Sequence, residues 1–113
     1  MQYFESAFQQ SAVRLLRANG FFVFAVANAR KIANVRQGVK LKAEGVLAGV
    51  SDLIIVLKDK VVFVELKTLT GKGRQSESQK AFQKEIKSRG HTYLLWDSWE
   101  KVERFINENK ELK

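Results

Sequence analysis

Two short apolar, largely β-branched runs, Leu53-Ile54-Ile55-Val56-Leu57 and Val61-Val62-Phe63-Val64, stand on either side of the polar link Lys58-Asp59-Lys60. Runs of this length and composition read as strands, and so short a link favours antiparallel pairing of the two. The sequence therefore predicts a β-hairpin over 52–57 and 61–66, and the rest of the chain has to cover its apolar surface.

Helices are available for that task. Phe8, Ala12, Leu15 and Leu16 recur at helical spacing over residues 3–19, and Gly20 suits the position just past a helix C-terminus. Residues 21–27 are aromatic and β-branched and read as a buried strand. Ser76-Glu77-Ser78-Gln79 has the form of a capping box opening a helix to about Arg89, closed by Gly90. Residues 92–96 read as a short strand, and 99–109 as an amphipathic helix with Val102, Phe105 and Ile106 on one face. The expected order is α-β-β-β-α-β-α, an α/β domain with a mixed central sheet flanked by helices. Residues 28–51 read instead as a long basic loop with room for one short helix, since Arg30, Lys31, Arg36, Lys40 and Lys42 face the single acid Glu44. Loops of that length are usually functional or mobile.

At 113 residues, without repeats or low-complexity tracts, the chain is expected to form a single domain over 1–113. No apolar run is long enough to span a bilayer, and the early Glu5 precedes no secretory apolar core, so a cytoplasmic location fits. There is no cysteine for disulfides or thiolate metal sites. Twenty Lys and Arg against twelve Asp and Glu leave a formal charge of +8, which favours polyanionic partners. Gly71-Lys72-Gly73 lacks P-loop spacing, so no nucleotide cofactor is expected. His91, behind a helix-ending glycine, reads as a surface residue, and Trp96 and Trp99 as core or dimer contacts.

The polar residues inside the apolar strands are the most informative. Asp52 opens the first hairpin strand, while Glu65 and Lys67 end the second and project from one side, because strand side chains alternate faces. Pairing through the short turn brings Asp52 back beside Glu65. Converging carboxylates are tolerated when a cation bridges them or one is protonated, and hard oxygen ligands suit Mg²⁺ or Mn²⁺. Lys67, roughly 7 Å along the backbone from Glu65, can activate a water or offset charge on a phosphate. Glu-Leu-Lys is also a common solvated strand end, in which the two side chains simply pair. Glu5 shares the stripe of Phe8, Ala12 and Leu16, although an acid in a first turn is favoured by the helix dipole anyway. Gln79 aligns with Phe82 and Ile86 and so faces the sheet, although the capping box alone would account for it.

Taken in order, Glu5 on the N-terminal helix, Gly49-Val50-Ser51-Asp52, Glu65-Leu66-Lys67 and Ser76-Glu77-Ser78-Gln79 resemble the virus-type replication-repair nuclease (VRR-NUC) domain of the restriction-endonuclease-like PD-(D/E)xK superfamily. The likeness spans nearly the whole chain. Ser51 stands where the family pattern often has proline, a change in turn stiffness that removes no ligand. The resemblance implies an Mg²⁺-dependent deoxyribonuclease, with Mn²⁺ able to substitute, acting on branched DNA such as flaps or Holliday junctions. It implies metal ligation by Asp52, Glu65 and the Leu66 carbonyl, a catalytic Lys67, Glu5 as an outer ligand or ligand to a second ion, and Gln79 as a site-shaping residue. Arg30, Lys31, Arg36, Lys40, Lys42, Lys72 and Arg74 would hold the DNA backbone. Stand-alone members of phage and bacteria imply a homodimer, and the small size suggests a phage or mobile element. Two rivals remain at this stage: a non-catalytic basic module that binds nucleic acid, and a structural protein whose charge serves solubility.

Overall fold

The computed structural model describes residues 2–27, 34–68 and 74–113, leaving out the side chains of residues 2–5. Its elements are α1 (Gln2–Ala18), β1 (Phe22–Ala25), α2 (Val35–Ala43), β2 (Leu53–Val56), β3 (Val61–Leu66), α3 (Glu77–Ser88), β4 (Thr92–Trp96) and α4 (Trp99–Glu108). The order thus contains one helix, α2, beyond the predicted seven elements. The strands form one sheet in the order β1-β2-β3-β4, antiparallel except for the parallel β3–β4 pair. The hairpin is present, with Leu53 opposite Val64 and Val56 opposite Val61, and its turn is closed by the Leu57 N–H donating to the Lys60 carbonyl at 2.8 Å.

Two-residue alternation divides the sheet into unlike faces. Val23, Leu53, Ile55, Val62, Val64, Leu66 and Trp96 are buried in the main core with Phe8 and Leu16 of α1 and Val102, Phe105 and Ile106 of α4. Aromatic contacts bind these layers: Phe105 packs on Phe21 and Trp96 at 5.6 and 5.5 Å, and Phe8 meets Trp99 edge-on at 4.9 Å. On the opposite face α3 lays Phe82 against Phe63 and Tyr93, at 5.8 and 6.2 Å. Helix α3 starts with the predicted capping box: the Ser76 hydroxyl accepts from the Gln79 N–H, and the Gln79 amide oxygen accepts from the Ser76 N–H.

Strand β1 departs from expectation. It is an edge strand rather than a buried one, with Val23 buried and Phe22 and Phe24 exposed. Residues 28–33 lie outside the described set, but within the expected basic loop the short helix α2 forms, capped where the Asn34 side chain accepts from the Gln37 N–H at 2.8 Å. No α2 side chain is buried. Among the described residues no helix is long and apolar enough to cross a membrane.

Candidate active site

The hairpin register determines the site. Leu53 pairs with Val64, so Asp52, one residue earlier, faces Glu65 across the strands. Both are buried, Asp52 at 4% exposure and Glu65 at 2%, and Lys67 follows at 7%. One Asp52 oxygen accepts the Leu66 N–H at 2.8 Å, locking that carboxylate onto the end of β3, and the Asp52 and Glu65 carboxyls hydrogen-bond to each other.

Glu65 is held from two further sides. The Gln79 side-chain amide donates to one of its oxygens at 2.9 Å, and the Tyr93 hydroxyl donates to the other at 3.3 Å. Loss of water and the neighbouring Asp52 push the Glu65 carboxyl up to about 8 from an ordinary 4.5, with Lys67 and the Tyr93 hydrogen bond pulling the other way. Burial, with the negative charge of Glu65 behind it, likewise raises the Tyr93 phenol well above its usual range. Tyr93 and Gln75, whose amide donates to the Tyr93 hydroxyl at 3.3 Å, carried no sequence signal. Tyr93 reaches Glu65 through the parallel β3–β4 register, which aligns Phe63 with Tyr93 and Glu65 with Leu95, and Gln75 meets Tyr93 from the segment just before α3.

Lys67 does not pair directly with Glu65. Its ammonium donates at 2.8 Å to the Gln79 side-chain oxygen, the atom that also accepts the Ser76 N–H. Gln79 therefore serves as helix cap and as polar bridge between Lys67 and Glu65 at once, and the two sequence readings of it are compatible. The position of α3 depends on Gly49. With φ at +87°, it lies so close to the helix start that an added Cβ would run into the Ser78 carbonyl and sit 2.8 Å from the Gln79 nitrogen. Glycine alone permits this approach. The turn that delivers Asp52 is thus packed directly on the turn that delivers Gln79.

The remaining sequence candidates are dispersed. Glu5 belongs to α1 beside the buried Phe8, and its side chain lies outside the described set. Arg36, Lys40 and Lys42 are exposed on or beside the turns of α2, and Arg74 is exposed shortly before α3, whereas Arg30, Lys31 and Lys72 lie outside the described residues. His91 is exposed, and Trp96 is core while Trp99 is partly exposed against Phe8. A cleft of about 370 Å³ between β4 and α4 opens on the other face of the sheet, away from the acids.

These donors fit a hard divalent cation. Two adjacent buried carboxylates that retain a proton to about pH 8 form a site where a cation can replace that proton. Among the described residues no cluster of three or more His, Cys, Asp or Glu occurs. Two carboxylates, with oxygens from backbone, water and substrate, suit Mg²⁺, which keeps much of its hydration. Among the described residues every buried side-chain nitrogen and oxygen has a partner.

No family model matches the chain, and no curated protein matches it. Two solved structures do. One, described as a VRR_NUC domain, aligns with a TM-score of 0.66 at 21% identity, over 91% of this chain and 94% of its own. The other, described as a VRR_NUC domain protein, aligns with a TM-score of 0.75 at 19% identity, over 96% and 89%. The fold is the VRR_NUC fold, as the ordered motifs predicted.

Proposed function

We propose that the chain is a metal-dependent deoxyribonuclease that hydrolyses DNA phosphodiesters and prefers branched substrates, flaps or four-way junctions. The observation that carries this reading is the buried Asp52–Glu65 pair, with the Lys67 ammonium joined to it through Gln79 at one end of the hairpin. Structural ion pairs rarely bury two acids side by side, because the like charges oppose each other and both lose water. The likeness to VRR_NUC domain structures supports the same reading.

Asp52, Glu65 and the Leu66 carbonyl would hold Mg²⁺, or Mn²⁺ in its place, with Glu5 as an outer ligand or the ligand of a second ion. When bound, such an ion supplies Lewis-acid polarisation of the phosphate and lowers the pKa of attacking water. The hydrogen bond from Leu66 fixes the Asp52 carboxylate in advance, and Tyr93 and Gln79 do the same for Glu65. Lys67, lying within this shell, offsets charge that grows on the phosphate during in-line attack. Gln79 keeps Lys67 and Glu65 apart so that neither quenches the other.

Exposed Arg36, Lys40, Lys42 and Arg74, with Arg30, Lys31 and Lys72, would grip the flanking backbone by phosphate contacts that position without reading sequence. Symmetrical cutting of a junction requires two sites, and a two-fold homodimer would provide them. The test is cleavage of matched linear, flap and four-way DNA with Mg²⁺, Mn²⁺ or chelator. Lys67→Ala should lower the single-turnover rate by about a hundredfold or more while DNA binding persists. Equal products from wild type and variant would remove the catalytic assignment of Lys67, and none from either in Mg²⁺ and Mn²⁺ alike would leave a binding module rather than an enzyme.

A further inference from the structure

Among the described residues, only half of the site-bearing sheet face is roofed. Helix α3 covers β3 and β4, placing Phe82 on Phe63 and Tyr93. Over β1 and β2, by contrast, Phe22 is 65% exposed and Phe24 38%, their ring centroids 5.9 Å apart. Large apolar groups on a highly charged protein rarely stand open together without a partner.

The register ties this strip to the carboxylates. Phe24 pairs with Ile54 and Phe22 with Val56, and on β2 Asp52, Ile54 and Val56 share one face. Pairing continues to Asp52 itself, whose carbonyl accepts the Val26 N–H at 2.9 Å. The two phenyl rings therefore lie about 7 and about 14 Å from the Asp52 row, one and two pleats away. Their spacing is of the order by which successive nucleotides advance along an extended single strand.

Charge identifies the chemistry of the occupant. The chain carries +8, and exposed cations lie in the chain segments that join both ends of the strip. Exposed Lys58 sits in the hairpin turn beyond the Val56 row, and exposed Arg36, Lys40 and Lys42 sit in the connection that leaves the site end of β1 and returns at Asp52. Aromatic rings between cationic flanks match a polyanion that presents flat apolar bases, the pattern of single-strand recognition.

We propose that Phe22 and Phe24 form a stacking platform for unpaired bases of the DNA strand whose phosphate enters the Asp52–Glu65 site. This rests on the nuclease reading and narrows its substrate to DNA with a single-stranded portion beside the scissile bond, a flap or an open junction rather than continuous duplex. The occupant is the substrate strand, not a second copy of the chain.

The test uses a duplex with a short single-stranded tail carrying 2-aminopurine, in Ca²⁺ or chelator so that binding is read without cleavage, with a blunt duplex of equal length beside it. Wild type should quench the 2-aminopurine. Phe22→Ala with Phe24→Ala should abolish the quench and weaken binding of tailed DNA by about tenfold or more, leaving the blunt duplex unchanged. Phe24→Tyr, which keeps a stacking ring, should behave as wild type. Equal losses on both DNAs, or no quench by wild type, would overturn the platform. So would sedimentation of wild type as a dimer that the double variant splits, since the rings would then be a contact between copies. Failure of the nuclease reading shows up separately, as no cleavage of any DNA by wild type in Mg²⁺ or Mn²⁺.

Discussion

On one face of the sheet Leu53, Ile55, Val62 and Val64 lie wholly buried in the core shared with α1 and α4, while on the other Asp52, Glu65 and Lys67 are nearly as buried but tied together by hydrogen bonds. The same two hairpin strands supply both. Because neighbouring side chains point to opposite faces, one residue belongs to the packing and the next to the chemistry. Stability and chemistry are therefore expected to separate by sequence parity.

The strongest test of that separation is Leu53→Ala. Leu53 lies between Asp52 and Ile54 but faces the core with no exposure, so truncation should cost about 2–5 kcal/mol in urea unfolding. Any metal affinity measured below the transition should survive. Gly49→Ala should breach the separation, because a side chain there strains the backbone and pushes on the turn of α3 that delivers Gln79. We expect a loss of about 1–3 kcal/mol from the positive φ and the collision with Ser78, together with weaker Mn²⁺ binding as α3 carries Gln79 away from Glu65. A stable variant with unchanged Mn²⁺ affinity would show the joint to be slack.

A pH series distinguishes the faces further. Glu65 holds its proton to about 8 when folded and to about 4.5 when unfolded, so the folded state binds more protons throughout that window. Stability of the metal-free protein should be complete below pH 4.5 and decline as pH rises toward 8. A divalent ion bound by the two carboxylates would replace the proton, so stabilisation by Mg²⁺ should grow over the same range. In thermal unfolding Glu65→Gln should flatten both trends, whereas Leu53→Ala should shift the curve without changing its slope. Tyr93→Phe should have the smallest effect. It removes one hydrogen bond, worth about 1 kcal/mol, and since that bond pulls the Glu65 carboxyl down, the decline should move to higher pH.

Much of the fold was legible because local chemistry decided it. Apolar runs set the hairpin, Ser76 and Gln79 wrote the start of α3, and the last strand occupies residues 92–96 as the pattern indicates. Burial of β1 could not be read from its aromatic run, because exposure of Phe22 and Phe24 follows from an edge position and from α3 roofing only the other half. Helix α2 was only weakly marked, since Val35, Gly38 and Val39 are poor helix formers and the Asn34 cap is the local signal for it. Asp52, Glu65, Lys67 and Gln79 were visible as polar residues at apolar positions. Tyr93 and Gln75 were not, because Tyr93 approaches through a parallel register that hydrophobic alternation alone does not encode, and Gln75 joins it from the segment before α3.

The oxygen that Gln79 offers to both Lys67 and the Ser76 N–H has a mechanical consequence. An ammonium drawn off toward a phosphate gives up its hold on that oxygen, and the opening turn of α3 loses one of its anchors. Occupation of the carboxylate site would then be transmitted to the helix as a change in how firmly its first coil is wound. Amide exchange at Gln79 and Lys80 should register the arrival of substrate even in a protein unable to cut it.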